Sequence, residues 1–426
     1  MQDLIHSSAG FLNESLLKIP NRRFVPDCLI QSVVGGGNLS ECGCRINHIQ
    51  GSSIAFDAEQ SQKAALGEFV ERYAAGIYHR DEFIVGSMRS LREQYRFIEL
   101  KHFRYYNDKQ YHQLQKFGIT PLSEDDVIEW TEMRDFISGE RYLMPAFCVY
   151  MPFENAVNAN KEFMVGATST GIAAGENLER ALFSAFCECA ERHAFAQFWY
   201  RQDRIDYKQY SRELILTHYK QDTAIQRLFK NPRVLFKVFD MCNFAPIETM
   251  VVFLYFDYKG HRYQSLGCAA RLTKREALLK ATLEAYQGVE YAISLMDKKI
   301  LPETMDISQI HNFDAHFHFY NQYPQCRQAS KILREAQNFQ QGDNEIYHHP
   351  EKEALKFSPE CLKKLGLPYL LYKDITPIDV ASISYCVVRA ITPSWALLTG
   401  QHAWPFLGQV FQEDEELFLA YPHPFP

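Results

Sequence analysis

A mixed α+β fold, with antiparallel sheets packed against helices, is what this sequence predicts, and three observations lead there. Runs rich in β-branched and aromatic residues recur at 144–153, 234–240, 248–258, 262–271 and 384–393. Two of them, 248–258 and 262–271, are separated only by Lys259-Gly260-His261, a short glycine-containing loop that suits a hairpin. Helical stretches alternate irregularly with these runs, which fits α+β better than a regular strand-helix-strand chain.

Taken in order, the first helical stretch is AALGEFVERYA at 64–74. Residues three or four apart are neighbours on a helix, so Glu68, Glu71 and Arg72 share one face while Ala65, Leu66, Phe69, Val70 and Tyr73 face a core. The second stretch, SAFCECAERHA at 184–194, repeats Ala, Glu, Glu, Arg and Ala at the same offsets, giving Glu188, Glu191 and Arg192 with Phe195 beside them. Beyond the predicted strand at 234–240 and the hairpin, KATLEAYQGVE at 280–290 repeats the Ala and the first Glu, and Lys280, Glu284 and Gln287 form a third patch. Residues 301–365 turn polar and read as a surface excursion with short helices, His316-Phe317-His318 being a polar loop within it. The strand-like 384–393 carries Arg389, read as structural. Residues 421–426, YPHPFP, form an extended tail whose alternate prolines let it enter a cleft at little ordering cost. No Pro/Gly/Ser-rich linker divides the chain, so 1–426 is expected to be one unit with subdomains.

Composition excludes several classes. With 426 residues and 46% hydrophobic content the chain can bury a large core, and 45 Lys+Arg against 52 Asp+Glu leave no positive field for a nucleic acid partner. Eleven cysteines without a CxxC pair suggest reduced thiols in a reducing cytoplasm. Neither a signal peptide nor an apolar run of membrane-spanning length is visible. GxxxxGK[ST] and HExxH are absent, Gly35-Gly36-Gly37-Asn38 does not continue into GxGxxG, and Cys42-Gly43-Cys44 and Cys187-Glu188-Cys189 have the wrong spacing for a usual zinc site.

A single Glu-to-Arg pair at i,i+4 is ordinarily a solvated surface feature worth about 0.2–0.5 kcal/mol. These helices differ in carrying almost no other charge: 64–75 holds only Glu68, Glu71 and Arg72, 181–196 only Glu188, Glu191 and Arg192, and 277–288 only Lys280 and Glu284. Helices apolar nearly all round are buried, and a buried carboxylate must be paired, neutral or bound to a cation. Hard oxygen ligands select Mg2+, which usually bridges carboxylates to phosphate oxygens, so three converging helices of this kind would make a nucleoside triphosphate site without a P-loop.

At these residues the sequence resembles the YcaO family of ATP-dependent enzymes that activate peptide-backbone amides. The resemblance is carried by GEFVERYAAG at 67–76, STGIAAGENLERALFSAFCECAERHA at 169–194, REALLKATLEAYQG at 275–288 and YCVVRAITP at 385–393, in family order over most of the chain. It implies that Glu68, Glu71, Glu188 and Glu191 hold Mg2+, and that Arg72, Ser184, Arg192, Lys280, Glu284 and Gln287 line or support the ATP site. The terminal PxPxP is similar to that of the azoline-forming subset, which implies a catalytic tail of Pro422, Pro424 and Pro426, the carboxylate of Pro426 accepting or orienting a proton. Two positions depart from the family pattern, Ala64 where many members have Ser and Arg180 where many have an acidic residue.

The implied reaction is cyclodehydration of Cys, Ser or Thr in a ribosomal precursor peptide to thiazoline or oxazoline. Thioamide or amidine formation and a non-catalytic nucleotide-binding scaffold are the alternatives. Expected partners are the precursor peptide, a ubiquitin-activating-enzyme-like protein carrying the leader-recognition element, and an FMN-dependent azoline dehydrogenase, with a homodimer inside a larger complex. Because the first family-like motif begins by Gly67, the leader-recognition partner is expected to be a separate chain.

Overall fold

The computed structural model describes residues 12–37, 39–158, 161–164, 168–334, 343, 345–347 and 355–426. Among the described residues the strands, all paired antiparallel, fall into three sheets. The first is β1 (Leu12–Lys18), β2 (Ile30–Gly36) and β3 (Gln50–Ala55) in that order. The second comprises β4 (Ile84–Gly86), β5 (Ile128–Asp135), β6 (Arg141–Pro145), β7 (Ile172–Gly175), β12 (Leu371–Asp374) and β13 (Cys386–Ile391), ordered β4-β5-β12-β13-β7 with β6 also on β5. The third runs β11-β10-β9-β8, from β8 (Lys208–Tyr210), β9 (Val234–Asp240), β10 (Glu248–Tyr258) and β11 (His261–Arg271).

Among the described residues four helices of ten residues or more pack on these sheets: α1 (Ala58–Ala75), α2 (Leu178–Tyr200), α3 (Lys274–Lys298) and α4 (Phe313–Gln322). Strand β10 is buried on both faces, which explains its near-continuous apolar run. Alternate side chains point opposite ways, so Val252, Leu254 and Phe256 join Ala277, Ala281 and Ala285 of α3, while Val251, Phe253 and Tyr255 join Phe195, Phe198 and Trp199 of α2. Each sheet seats one helix closely through a strand glycine. A Cβ on Gly51 of β3 would stand 2.0 Å from the Ala65 carbonyl of α1, and one on Gly267 of β11 would stand 2.0 Å from the Ala281 carbonyl of α3.

The predicted hairpin forms, but its loop is two residues rather than three. Tyr258 pairs with His261, and Lys259 and Gly260 take φ of 50° and 80°, the left-handed pair whose twist matches the strands. The strand expected at 144–153 is a shorter β6 that stops at Pro145, where the missing N–H ends the ladder; Ala146–Cys148 continue as a buried 3-10 turn. Residues 301–365 also depart from a surface excursion. Within them His316, Phe317, His318, Phe319, Tyr320 and Asn321 of α4 are all buried, because this helix lies between α3, β11 and the C-terminal tail. Residues 335–342, 344 and 348–354 of the polar stretch lie outside the described residues, as does Asn38. None of the eleven cysteines is in a disulfide. Among the described residues no helix is long and apolar enough to cross a membrane.

Candidate active site

The three glutamate-bearing helices start from well-capped ends, Asp57, Asn177 and Thr273 each accepting a first-turn N–H. From α1, Glu68 accepts the Ser52 N–H at 2.7 Å and pairs with Arg72 at 2.6 Å, while Arg72 also donates to the Gln50 carbonyl at 2.9 Å. Gln287 of α3 reaches the same strand, its amide donating to the Ser52 hydroxyl at 2.8 Å. Glu68, Arg72 and Gln287 therefore meet around Ser52, which pins β3 to two helices.

Deeper in, Glu71 accepts the Ala174 N–H of β7 at 2.8 Å, and Glu188 accepts the Gly171 N–H at 3.2 Å. Arg192 lies 3.5 Å from Glu188 and 3.8 Å from Glu191, and Lys280 pairs with Glu284 at 3.1 Å. Burial pushes Glu71 up to about 8, against the Ala174 N–H and with the charges of Glu188 and Glu68 adding to the rise. Glu191 is also pushed up to about 8, by burial against the opposing pull of Arg192, with Glu284 and Glu188 raising it further. Glu188 is raised by burial as well, offset by Arg192, the Gly171 N–H and Arg389, and raised by Glu284. Glu71, Glu188 and Glu191, with Glu284 adding its charge to the last two, thus come together from three helices, and Arg192 is the guanidinium shared by Glu188 and Glu191.

Ser184 stands exposed one turn before Glu188. In the tail, Pro422, His423, Pro424 and Phe425 are buried and Pro426 is exposed. Phe425 places its ring 3.9 Å from the Arg192 guanidinium carbon and 4.8 Å, edge-on, from the Phe195 ring.

Three contributors were not assigned to the site from sequence. Arg271, at the end of β11, favours ionisation of Glu191; a basic residue closing a strand just before the third helix was its only signal. Ser52 had none. Arg389, read as structural, is buried and bonds the Cys148 and Thr168 carbonyls, yet its charge also favours ionisation of Glu188.

These residues suit a hydrated cation with an anionic ligand. Among the described residues only Asp240, Cys242 and Glu248 bring three ligand atoms within 4.8 Å of one another. There Lys274 already supplies the cation, 2.5 Å from Asp240 and 3.6 Å from Glu248. The helix glutamates are set wider apart, a spacing for Mg2+ that keeps waters and bridges to phosphate rather than for an all-protein cage. The buried Nε of Arg192 has no hydrogen-bond acceptor among the described residues, as expected of a donor meant for a ligand oxygen.

The family model of the YcaO cyclodehydratases, described as ATP- and Mg2+-binding, matches residues 54–396. The chain belongs to the YcaO family. A search of curated proteins found no match. Among solved structures, a heterocyclase in complex with substrate and cofactor is 20% identical with a TM-score of 0.66, the match covering 93% of this chain and 52% of that one. An E. coli microcin synthetase McbBCD complex with pro-MccB17 bound is 14% identical with a TM-score of 0.63, covering 97% of this chain and 96% of the other. YcaO from Methanopyrus kandleri bound with AMPPCP and Mg2+ is 16% identical with a TM-score of 0.58, covering 90% and 86%. This YcaO chain spans about half the length of the first of these, and shares with all three the mixed α+β fold. The family description makes ATP and Mg2+ the ligands against which the carboxylates and Arg192 are to be read.

Proposed function

We propose that the chain is an ATP-dependent peptide cyclodehydratase that closes Cys, Ser or Thr residues of a ribosomal precursor peptide into azolines. The observation that carries this reading is the convergence of Glu188 and Glu191 on Arg192, whose buried Nε awaits an acceptor, with Glu71 close enough to feel the charge of Glu188 and Glu284 close enough to act on Glu188 and Glu191. In this reading Glu71, Glu188 and Glu191 hold Mg2+ with Glu68 behind them, and Arg192, Lys280, Glu284, Arg72, Gln287 and Ser184 line or support the ATP site. Bound Mg2+ neutralises charge on the polyphosphate.

The substrate heteroatom attacks the preceding amide carbon and gives up its proton to the terminal carboxylate of Pro426, which the Pro422 and Pro424 tail carries, leaving an oxyanion on the former carbonyl. The γ-phosphoryl of ATP passes to that oxygen, releasing ADP. Loss of phosphate and of the amide N–H proton then forms the C=N bond, so the peptide loses one water per ring. Arg192 holds the transferring phosphoryl, and the 421–426 tail walls the same space so that water is excluded. A multisubunit setting, with a leader-recognition partner, an azoline dehydrogenase and a second copy of the chain in a bacterial cytoplasm, completes the reading; the McbBCD complex, with its peptide bound, supports it.

The test is peptide mass after incubation with Mg-ATP, a Cys/Ser-rich precursor and the partner protein, beside Glu191→Gln. Loss of one water per ring with matching phosphate release, absent in the variant, is expected. An unchanged peptide despite binding overturns the proposal and favours a nucleotide-binding scaffold.

A further inference from the structure

Helix α4 and the tail meet through contacts that no requirement of α4 itself explains. The tail is short of donors, because Pro422, Pro424 and Pro426 have no N–H, and its carbonyls are held from α4 instead. Tyr320 donates its hydroxyl to the Pro422 carbonyl at 2.9 Å. His316 Nδ1 lies 3.0 Å from the His423 carbonyl, which can only accept, so this nitrogen carries the proton. The His316 and His423 rings stack with centroids 4.0 Å apart, and His423 Nε2 donates in turn to the Thr399 carbonyl at 3.1 Å. His316 and Tyr320 are one helical turn apart and grip adjacent carbonyls.

Two residues beyond this grip, Phe425 lies on Arg192. Proline on either side limits the backbone freedom between grip and ring, so the position of α4 sets the position of the ring. An aromatic face on a guanidinium fixes its plane and leaves its edges for hydrogen bonds. On those edges lie Glu188, Glu191 and the Nε without an acceptor.

We propose that His316 and Tyr320 are positioning residues which, through the tail and the Phe425 ring, hold Arg192 in the orientation that accepts a nucleotide phosphate. The inference rests on the nucleotide-site reading above and adds to it a second segment of the chain, far in sequence from the glutamate helices. It makes the polar region around α4 the receptor of the tail.

The test combines calorimetric binding of Mg-AMPPCP with a double-mutant cycle, fold being checked by circular dichroism. His316→Leu and Phe425→Leu are each expected to weaken nucleotide binding about tenfold. His316→Asn, which keeps an N–H near the Nδ1 position, is expected to stay within about threefold of wild type, as is Phe425→Trp, which keeps an aromatic face. In an Arg192→Lys background Phe425→Leu should cost less than about twofold more, because the ring then has no planar cation to orient. Wild-type binding with losses that add fully across the cycle, or His316→Leu binding like wild type, overturns the inference. A wild-type chain that binds no Mg-nucleotide overturns the functional reading beneath it. Should His316→Leu fail to fold, Tyr320→Phe, which removes only the hydroxyl on the Pro422 carbonyl, takes its place: weaker nucleotide binding is expected, and binding like wild type overturns the inference.

Discussion

Replacing Gly267 by alanine should damage the nucleotide site more than it damages the fold. A Cβ there would stand 2.0 Å from the Ala281 carbonyl oxygen, 2.5 Å from the Ala285 nitrogen and 2.8 Å from the Glu284 Cβ, where ordinary contact begins at 3.4 Å. The first two are helix backbone and cannot rotate aside, so α3 must withdraw from β11 by roughly 1.5 Å, at about 1–3 kcal/mol for overpacking of this kind. Glu284 travels with the helix. A misplacement of a positioning group by about 1 Å costs on the order of 100-fold in rate. Urea unfolding followed by circular dichroism should show a loss of about 2 kcal/mol, and ATP turnover with precursor and partner should fall about 100-fold under conditions where the variant stays folded. Stability within about 0.5 kcal/mol of wild type and turnover within threefold would refute the claim that this contact sets the position of α3.

Three further outcomes follow from the same contacts. Gly67, inside α1, has open space where a Cβ would go, so Gly67→Ala should raise the unfolding free energy measured in urea by about 0.5–1 kcal/mol through helix propensity alone. Lys274→Met leaves Asp240 and Glu248 buried without the lysine's charge and should cost about 3–5 kcal/mol in the same assay, partly restored by adding Asp240→Asn. Burial holds His423 down at about 3, the Thr399 carbonyl opposing this and His402 and Arg192 adding to it, and the stacked His316 is held well below 6.5 by burial, His423 and His402. The unfolded chain then takes up protons that the folded chain refuses, so stability is full above 6.5 and falls as pH drops toward 3, by about 2 kcal/mol for His423 alone at pH 5. Melting temperatures from pH 7 to pH 5 should fall less steeply in His423→Gln than in wild type.

Much of this was legible in the residues, for reasons that also mark where legibility stopped. The i, i+3 and i+4 spacing placed Glu68, Glu71 and Arg72 on one face because that spacing belongs to the helix itself, and the hairpin followed from Lys259-Gly260 because turn chemistry is local. Strands β1, β2, β3, β4, β5, β7, β8 and β12 were not among the predicted runs: three to eight residues long, they take their pairing from neighbours and not from a pattern of their own. The polar letters of HFHFYN hid a buried helix, since His316, Tyr320 and Asn321 have partners in the tail and in β11 that no local pattern announces. Likewise the split of the glutamates into an outer one, Glu68 on Ser52, and an inner group is decided by which strand each helix touches.

That division bears on why these helices carry so few charges. The α2 helix packs on β7 and β13 through Ala181, Ala185 and Phe186 and on the β10 layer through Phe195, Phe198 and Trp199, so it joins two sheets and has no solvent face along most of its length. A carboxylate on such a helix destabilises the fold unless something offsets it, and Arg192 alone faces both Glu188 and Glu191. Under the proposed function an incoming cation and polyphosphate would supply that deficit: the cation would favour the ionised carboxylates that burial disfavours, and the phosphate would meet the guanidinium edge left open. On this account nucleotide binding and stability are linked at one place, where α1, α2 and α3 approach from separate sheets. Glu191→Gln should therefore raise the melting temperature of the unliganded chain while reducing the further rise that Mg-AMPPCP gives the wild type, and a variant that melts below wild type would break that link.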